Sequence, residues 1–443
     1  MKTRKITAGI AAMTMLSALM TGCGGGGEAS STPTPTTAAG GDAPAATTAA
    51  TQAAAPSGGG AGGEITVWAP DDVTGLTQEK LNTWLAGSEF AGKYTITVSA
   101  MGEGDAATQM LTDVEAGADV FGFAQDQLSR LVSAGALSAP GGVFLDHINA
   151  NNDAGSIGAT TLNGKVYAYP ETSDNGFFLY YDKSVVSDPS TLEGVLADCK
   201  ANDKKFYMDI QSGWYNVAFF FATGAQCYYE YDTEGAVTGC VCDYKSDNGL
   251  KAFKAMCNMA ADPAFAQTAG GEASLFGADG TVGALVSGTW DSAAISEALG
   301  DNYGAAKLPT FTVDGQTYQM SGFGGFKLVG VKPQTDSDKL TFCHAVADYL
   351  TSEDMQLARF DSNGWGPSNL NAQKCEGVQS DPALAALAEQ LAFCPGQGQY
   401  PQAYWDLTTA FGTDINSGKY ASASDDDLMN ALGELETGLK AAK

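Results

Sequence analysis

The sequence predicts an α/β fold built on a mostly parallel sheet with helices on both faces. Two observations carry this. From Glu64 onward, short runs rich in β-branched and aromatic residues alternate with segments whose apolar residues recur at helical spacing, and such a βαβα rhythm builds parallel sheets. With 44% hydrophobic and 17% charged residues, the chain can also bury a sizeable core.

The elements follow in order. Residues 65–68 read as a strand, 77–90 as a helix with Leu81, Trp84 and Leu85 on one stripe, and 94–99 as a second strand. A helix through Met110, Leu111 and Val114 leads to a strand at 119–123 and then to a helix carrying Leu128, Leu131 and Val132. Further along, 177–181 and 281–286 read as strands, and 190–201, 247–260, 339–350, 381–391 and 425–440 as helices. Ligands of such sheets bind outside the carboxyl ends of the strands.

The first 63 residues do not read as folded protein. Lys2, Arg4 and Lys5 precede an apolar run over 6–20, which at about 15 residues is short of the roughly 20 that span a bilayer and fits a secretory signal peptide. It ends in Leu19-Met20-Thr21-Gly22-Cys23, which resembles a bacterial lipobox, so Cys23 is the expected lipidation site and 1–23 the signal segment. Residues 24–63 hold only Gly, Ala, Ser, Thr, Pro and Gln besides Glu28 and Asp42. Such a stretch cannot offset its ordering entropy and is expected to be a disordered tether spanning roughly 35 Å.

Charge and composition exclude several functions. Twenty-three basic against 51 acidic side chains give −28, and loss of the three N-terminal cations leaves 20 against 51, or −31. That surface repels nucleic acid and anionic lipid. His147 and His344 are the only histidines, too few for His-rich metal sites. Eight cysteines follow Cys23 and leave disulfide pairing open; Cys240-Val241-Cys242 is too tight for redox or zinc CxxC patterns. Residues 87–93 have phosphate-loop spacing, but Tyr94 replaces the needed Ser or Thr; a calcium-like run at 243–254 ends on Lys254 where an acid is required. Neither GxSxG nor HExxH occurs. No cofactor or metal is expected.

What does recur is an aromatic ring beside acids or amides. Trp68 precedes Asp71 and Asp72, Phe123 precedes Gln125, Asp126 and Gln127, and Trp214 follows Gln211 and Ser212; Trp290 and Trp405 each precede an aspartate. Sugars need both parts, because their C–H faces stack on aromatic planes while their hydroxyls bind carboxylates and amides. Trp68 and Trp84 sit on a strand and on an apolar helix stripe and read as core, whereas Trp214, Trp290 and Trp405 flank loop residues and read as site rings.

In this order and spacing, 65–68, the run Ala118-Asp119-Val120-Phe121, residues 163–170 leading to Tyr180-Tyr181-Asp182-Lys183, Gly288-Thr289-Trp290 and Pro401-Gln402-Ala403-Tyr404-Trp405 make the chain resemble the maltose-binding type of extracellular solute-binding lipoprotein of ABC importers. The resemblance implies a two-lobed periplasmic-binding-protein fold with three hinge crossovers and a ligand cleft between the lobes. One lobe would comprise 64–174 and 319–367, the other 175–318 and 368–443. It implies stacking rings at Phe123, Trp214, Trp290 and Trp405, hydroxyl-binding acids at Asp72 and Asp126, and a further acid at Asp174 with Glu171 as rival. Val73, Gln127 and Ser212 stand where the family pattern has lysine, arginine and glutamate, which thins the charged ring around the ligand. The function implied is a non-catalytic, monomeric receptor, lipid-anchored on the extracellular face of the cell membrane, that binds an oligosaccharide, first a malto-oligosaccharide, and delivers it to ABC permease subunits. The residues leave two alternatives: a secreted glycoside hydrolase using Asp126 and Asp174 as its carboxylate pair, and the same fold holding a polyamine or a peptide.

Overall fold

The computed structural model describes residues 62–442; the signal segment with Cys23 and nearly all of the proposed tether lie outside the described residues. Two five-stranded sheets organise the body. The first runs Thr95–Ala100, Glu64–Ala69, Val120–Ala124, Gly325–Val331, Tyr169–Asn175; the second runs Phe265–Gln267, Lys205–Met208, Val282–Ser287, Phe178–Asp182, Tyr303–Ala306. The opening strands pair in parallel, with Ile65 opposite Ile96 and Val67 opposite Val98 and Val120.

The expectation of mostly parallel sheet needs one correction. In each sheet the fourth strand runs against its neighbours: Gly325–Val331 in the first and Phe178–Asp182 in the second. Each is the strand on which the chain has just arrived from the other sheet. It therefore lacks the helical crossover that a parallel neighbour requires.

The helices follow apolar periodicity where the period is visible. The helix Asp71–Gly87 starts six residues before the predicted 77, because Pro70 precedes it and Asp71 and Asp72 occupy the first turn, where carboxylates meet the positive end of the helix dipole. The helix Gly213–Thr223 lies beyond the predicted set; it is apolar on almost every side, with Val217, Ala218, Phe219 and Phe220 all buried, so no stripe marks it. Ser212 caps it by accepting the Trp214 N–H at 3.2 Å. Glu353–Asn363 and Gln402–Asn416 are likewise helices beyond the predicted set.

Each sheet owns a core. In the first, Ile65, Val67, Leu81 and Val120 pack with Phe342 and Val346, while Phe121, Leu128, Leu131 and Leu328 pack on the opposite face. In the second, Phe206, Met208, Phe219, Phe220, Phe253 and Leu432 share one cluster. All eight described cysteines are free thiols, with Cys227 and Cys240 Sγ atoms 3.9 Å apart. Trp84 stacks on Tyr349 at 5.2 Å and 15° and on Phe342 at 6.2 Å and 17°, joining the helices Asp71–Gly87 and Ser337–Leu350. Trp84→Ala is expected to cost about 2–3 kcal/mol, below a fully buried tryptophan because the ring is half-exposed. A denaturant melt checks the loss, and ligand affinity should be unchanged.

Candidate functional site

A cleft of about 710 Å³ opens beside the strand ends of both sheets. From the first sheet's side it is lined by Asp72 in the first turn of Asp71–Gly87, by Glu103, and by Asp126 and Arg130 just past the carboxyl end of Val120–Ala124. From the second sheet's side come Trp214 at the start of Gly213–Thr223, Trp290 in the turn after Val282–Ser287, and Trp405 in the first turn of Gln402–Asn416. These turns present rings at helix starts and strand ends, where backbone direction changes and side chains project from the layers.

The three tryptophans are half-buried, each with part of the ring left open. Trp214 and Trp290 lie 5.9 Å apart at 45°, and Trp405 rests on Tyr404 at 4.8 Å and Tyr400 at 5.4 Å. Around them stand acceptors and donors in fixed positions. Gln397 donates to Asp126 Oδ1 at 3.0 Å, and its own Oε1 accepts from Asn175 at 3.2 Å. Arg130 and Thr108 both donate to Gln402 Oε1, at 2.9 and 3.2 Å. Asn363 donates to Asp72 Oδ2 at 3.2 Å.

Asp126 is the most perturbed acid in the cleft. Burial pushes its carboxyl up to about 7, against the opposing pull of Arg130, its own backbone and Trp405. A carboxyl whose folded pKa is raised binds its proton more tightly in the native state, so stability falls as pH rises from about 4 to about 7. Asp126→Asn should flatten that slope and raise stability at pH 8 by on the order of 1–3 kcal/mol. Chemical denaturation of both proteins at pH 5 and pH 8 reads the difference; equal slopes would contradict the assignment.

Three predicted residues are placed elsewhere. Phe123 is fully buried: with Phe121 it projects from one face of its strand onto Gly330 and the core, so no ring face is left for a ligand. Glu171 is 5% exposed and pairs with Arg359 Nη2 at 2.9 Å; it supports the cleft floor from behind. Asp174 is 2% exposed, and its Oδ2 accepts from Thr289 Oγ1 and the Gly366 N–H, both at 2.5 Å. It ties three distant segments together and does not line the cleft. The Asp126–Asp174 pair that a hydrolase would use is therefore not presented to a substrate.

In their place the structure supplies Lys327 and Trp365. Lys327 lies across the cleft floor, its Nζ 3.9 Å from the centre of the Trp365 ring, 5.4 Å from that of Trp290 and 3.6 Å from Glu103 Oε1. Burial alone would lower its pKa, but Glu103, Asp174, Glu171 and Asp72 together outweigh burial and hold the ammonium above its usual range. Trp365 is 2% exposed, yet its ring borders the cleft and its Nε1–H has no partner. Its setting, Gly364-Trp365-Gly366-Pro367, has the same loop character as the other three site rings and was the available signal. Arg130 and Lys327 give the cleft two cations beside five acids, Asp72, Glu103, Asp105, Asp126 and Asp291. Among the described residues no group of His, Cys, Asp and Glu is arranged to hold a metal ion.

The sequence model for bacterial extracellular solute-binding proteins matches residues 87–386. No curated protein matches the chain. Among solved structures, one determined with acarbose is 28% identical, with a TM-score of 0.74 over 85% of this chain and 98% of its own. A maltodextrin-binding protein from L. casei BL23, solved without ligand, is 23% identical with a TM-score of 0.68 over 86% and 99%. The maltose–maltodextrin-binding protein of Alicyclobacillus acidocaldarius is 20% identical with a TM-score of 0.70 over 85% and 99%. With two thirds of its length inside that sequence model and the same two-sheet architecture, the chain belongs to the bacterial extracellular solute-binding protein family.

Proposed function

We propose that the protein is a non-catalytic receptor that takes an oligosaccharide, a malto-oligosaccharide first, into the cleft and hands it to the permease subunits of an ABC importer. The carrying observation is the trio of half-buried tryptophans, Trp214, Trp290 and Trp405, that line one cleft together with Asp72, Asp126 and Arg130. Stacking on the rings and hydrogen bonding to the polar side suit a neutral polyhydroxyl ligand. The 28% identical structure solved with acarbose supports a sugar-like ligand.

The two sheets support lobes made of 64–174 with 319–367 and of 175–318 with 368–443, hinged near 174–176, 318–320 and 367–369. A ligand touching both lobes favours their closed arrangement by its differential affinity. Anchoring through a lipidated Cys23 rests on the lipobox, and the acidic charge gives the body no affinity of its own for anionic lipid.

A thermal-shift panel of mono- and oligosaccharides, polyamines and peptides tests this reading. Ligand at 100 times its dissociation constant adds about 2.7 kcal/mol to stability, so malto-oligosaccharides should raise the melting temperature by several degrees. A shift with polyamines or peptides alone would overturn it.

A further inference from the structure

A second cavity, also of about 710 Å³, adjoins the cleft and shares Ser212, Trp290, Asp291 and Thr409 with it. It lies over the carboxyl ends of three parallel strands of the second sheet: Asp209 follows Lys205–Met208, Gln267 ends Phe265–Gln267, and Ser287 ends Val282–Ser287. That is where open α/β sheets hold ligands. None of the predicted site residues except Trp290 reaches it.

Its walls are preformed. Glu272 accepts the N–H groups of Ala269 at 2.6 Å and Gly270 at 3.0 Å, which fixes the outer loop; Gly270 and Gly271 there hold φ of 96° and 86°. Asp209 Oδ1 accepts from Gln267 Nε2 at 2.5 Å and from the Ser212 N–H at 3.2 Å. Asp291 accepts from Ser287 Oγ at 2.6 Å. Asp291 is half-buried, and burial, with Glu272 and Asp72 adding to it, holds its carboxyl above its usual range.

The lining carries three carboxylates, two glutamines, Tyr215 and Trp290, and no Lys, Arg or His. Anionic ligands are excluded by repulsion. Acceptors beside two aromatic rings suit hydroxyl donors with apolar C–H faces, the chemistry already found in the cleft. Because Trp290 borders both spaces, a chain stacked on it in the cleft can continue past it.

We propose that this cavity is an extension subsite that receives the outer units of an oligosaccharide whose inner units occupy the cleft, making the protein selective for longer chains. The proposal rests on the receptor reading above and adds a length preference to it.

Calorimetric titration of the full chain with maltotriose and maltoheptaose tests it, with Ala269→Trp and Thr268→Trp as variants that fill the second cavity from its outer loop and leave the cleft untouched. The wild type should bind maltoheptaose at least about thirtyfold more tightly than maltotriose, beyond the statistical gain of a longer chain. Both variants should lose most of that advantage while binding maltotriose within about twofold of wild type. Equal affinities in the wild type, or the full advantage retained in both variants, would overturn the extension subsite and leave the receptor reading standing. No binding of either sugar by the wild type would remove the receptor reading and the subsite with it. Spermidine competing with maltoheptaose but not with maltotriose would assign the cavity to amines instead.

Discussion

Replacing Arg359 with alanine is expected to cost about 3–5 kcal/mol of folding stability at pH 8. Arg359 is 2% exposed, pairs with Glu171 at 2.9 Å and donates to the Leu350 carbonyl at 2.7 Å. Glu171 is already pushed up to about 7, chiefly by burial and further by Glu103 and Asp174, with Arg359 and Lys327 pulling the other way. Without the guanidinium, a buried carboxylate loses its main partner, and its pKa rises further. The deficit should therefore shrink as pH falls to about 5, where the carboxyl is neutral. Adding Glu171→Gln to Arg359→Ala should recover a large part of the loss, because the penalty lies in the unpaired charge more than in the missing contact. Urea melts of the single and double variants at both pH values give the comparison. A loss under about 1 kcal/mol at pH 8, or no recovery in the double variant, would show that the pair is not the keystone of the cleft floor.

Trp290→Ala is expected to weaken oligosaccharide binding by about tenfold or more, since a stacked ring is worth on the order of 1–3 kcal/mol and each 1.4 kcal/mol is a factor of ten. Trp290 stands between the cleft and the second cavity and within 5.9 Å of Trp214, so its loss affects every chain length. Trp405→Ala should weaken binding similarly but also cost stability, because that ring packs against Phe323, Tyr400 and Tyr404. The two variants thus separate by melting: Trp290→Ala stays near the wild-type transition and Trp405→Ala falls below it. Unchanged affinity in Trp290→Ala would take that ring out of the site.

The aromatic site was half legible because its tryptophans sit where regular elements begin or end, Trp214 and Trp405 in the first turns of helices and Trp290 in the turn after Val282–Ser287. Trp214, Trp290 and Trp405 are marked by their polar, glycine or proline neighbours and by the family resemblance, and Trp365 between two glycines carries the first of these marks. Phe123 failed for the opposite reason. It lies in a strand, Val120–Ala124, that is buried on both faces, so alternation could not say which face meets the cleft. The acids divide in the same way. Asp72 and Asp126 follow strand ends within three residues and reach the cleft, whereas Glu171 and Asp174 lie within the strand Tyr169–Asn175, whose neighbouring strand Gly325–Val331 comes from about 150 residues away in the chain.

By itself, then, the sequence determined what short-range physics controls: the strand–helix alternation after Glu64, the apolar stripes of the outer helices, and the turns that expose tryptophan. The tertiary structure decided what depends on distant partners. It turned the fourth strand of each sheet around, set Lys327 under two tryptophans and beside Glu103, and moved Asp174 from ligand contact to a pin between Thr289 and Gly366. Burial and charge pairing sum over neighbours in space, and a side chain's neighbours in space are not written within its own few residues of chain.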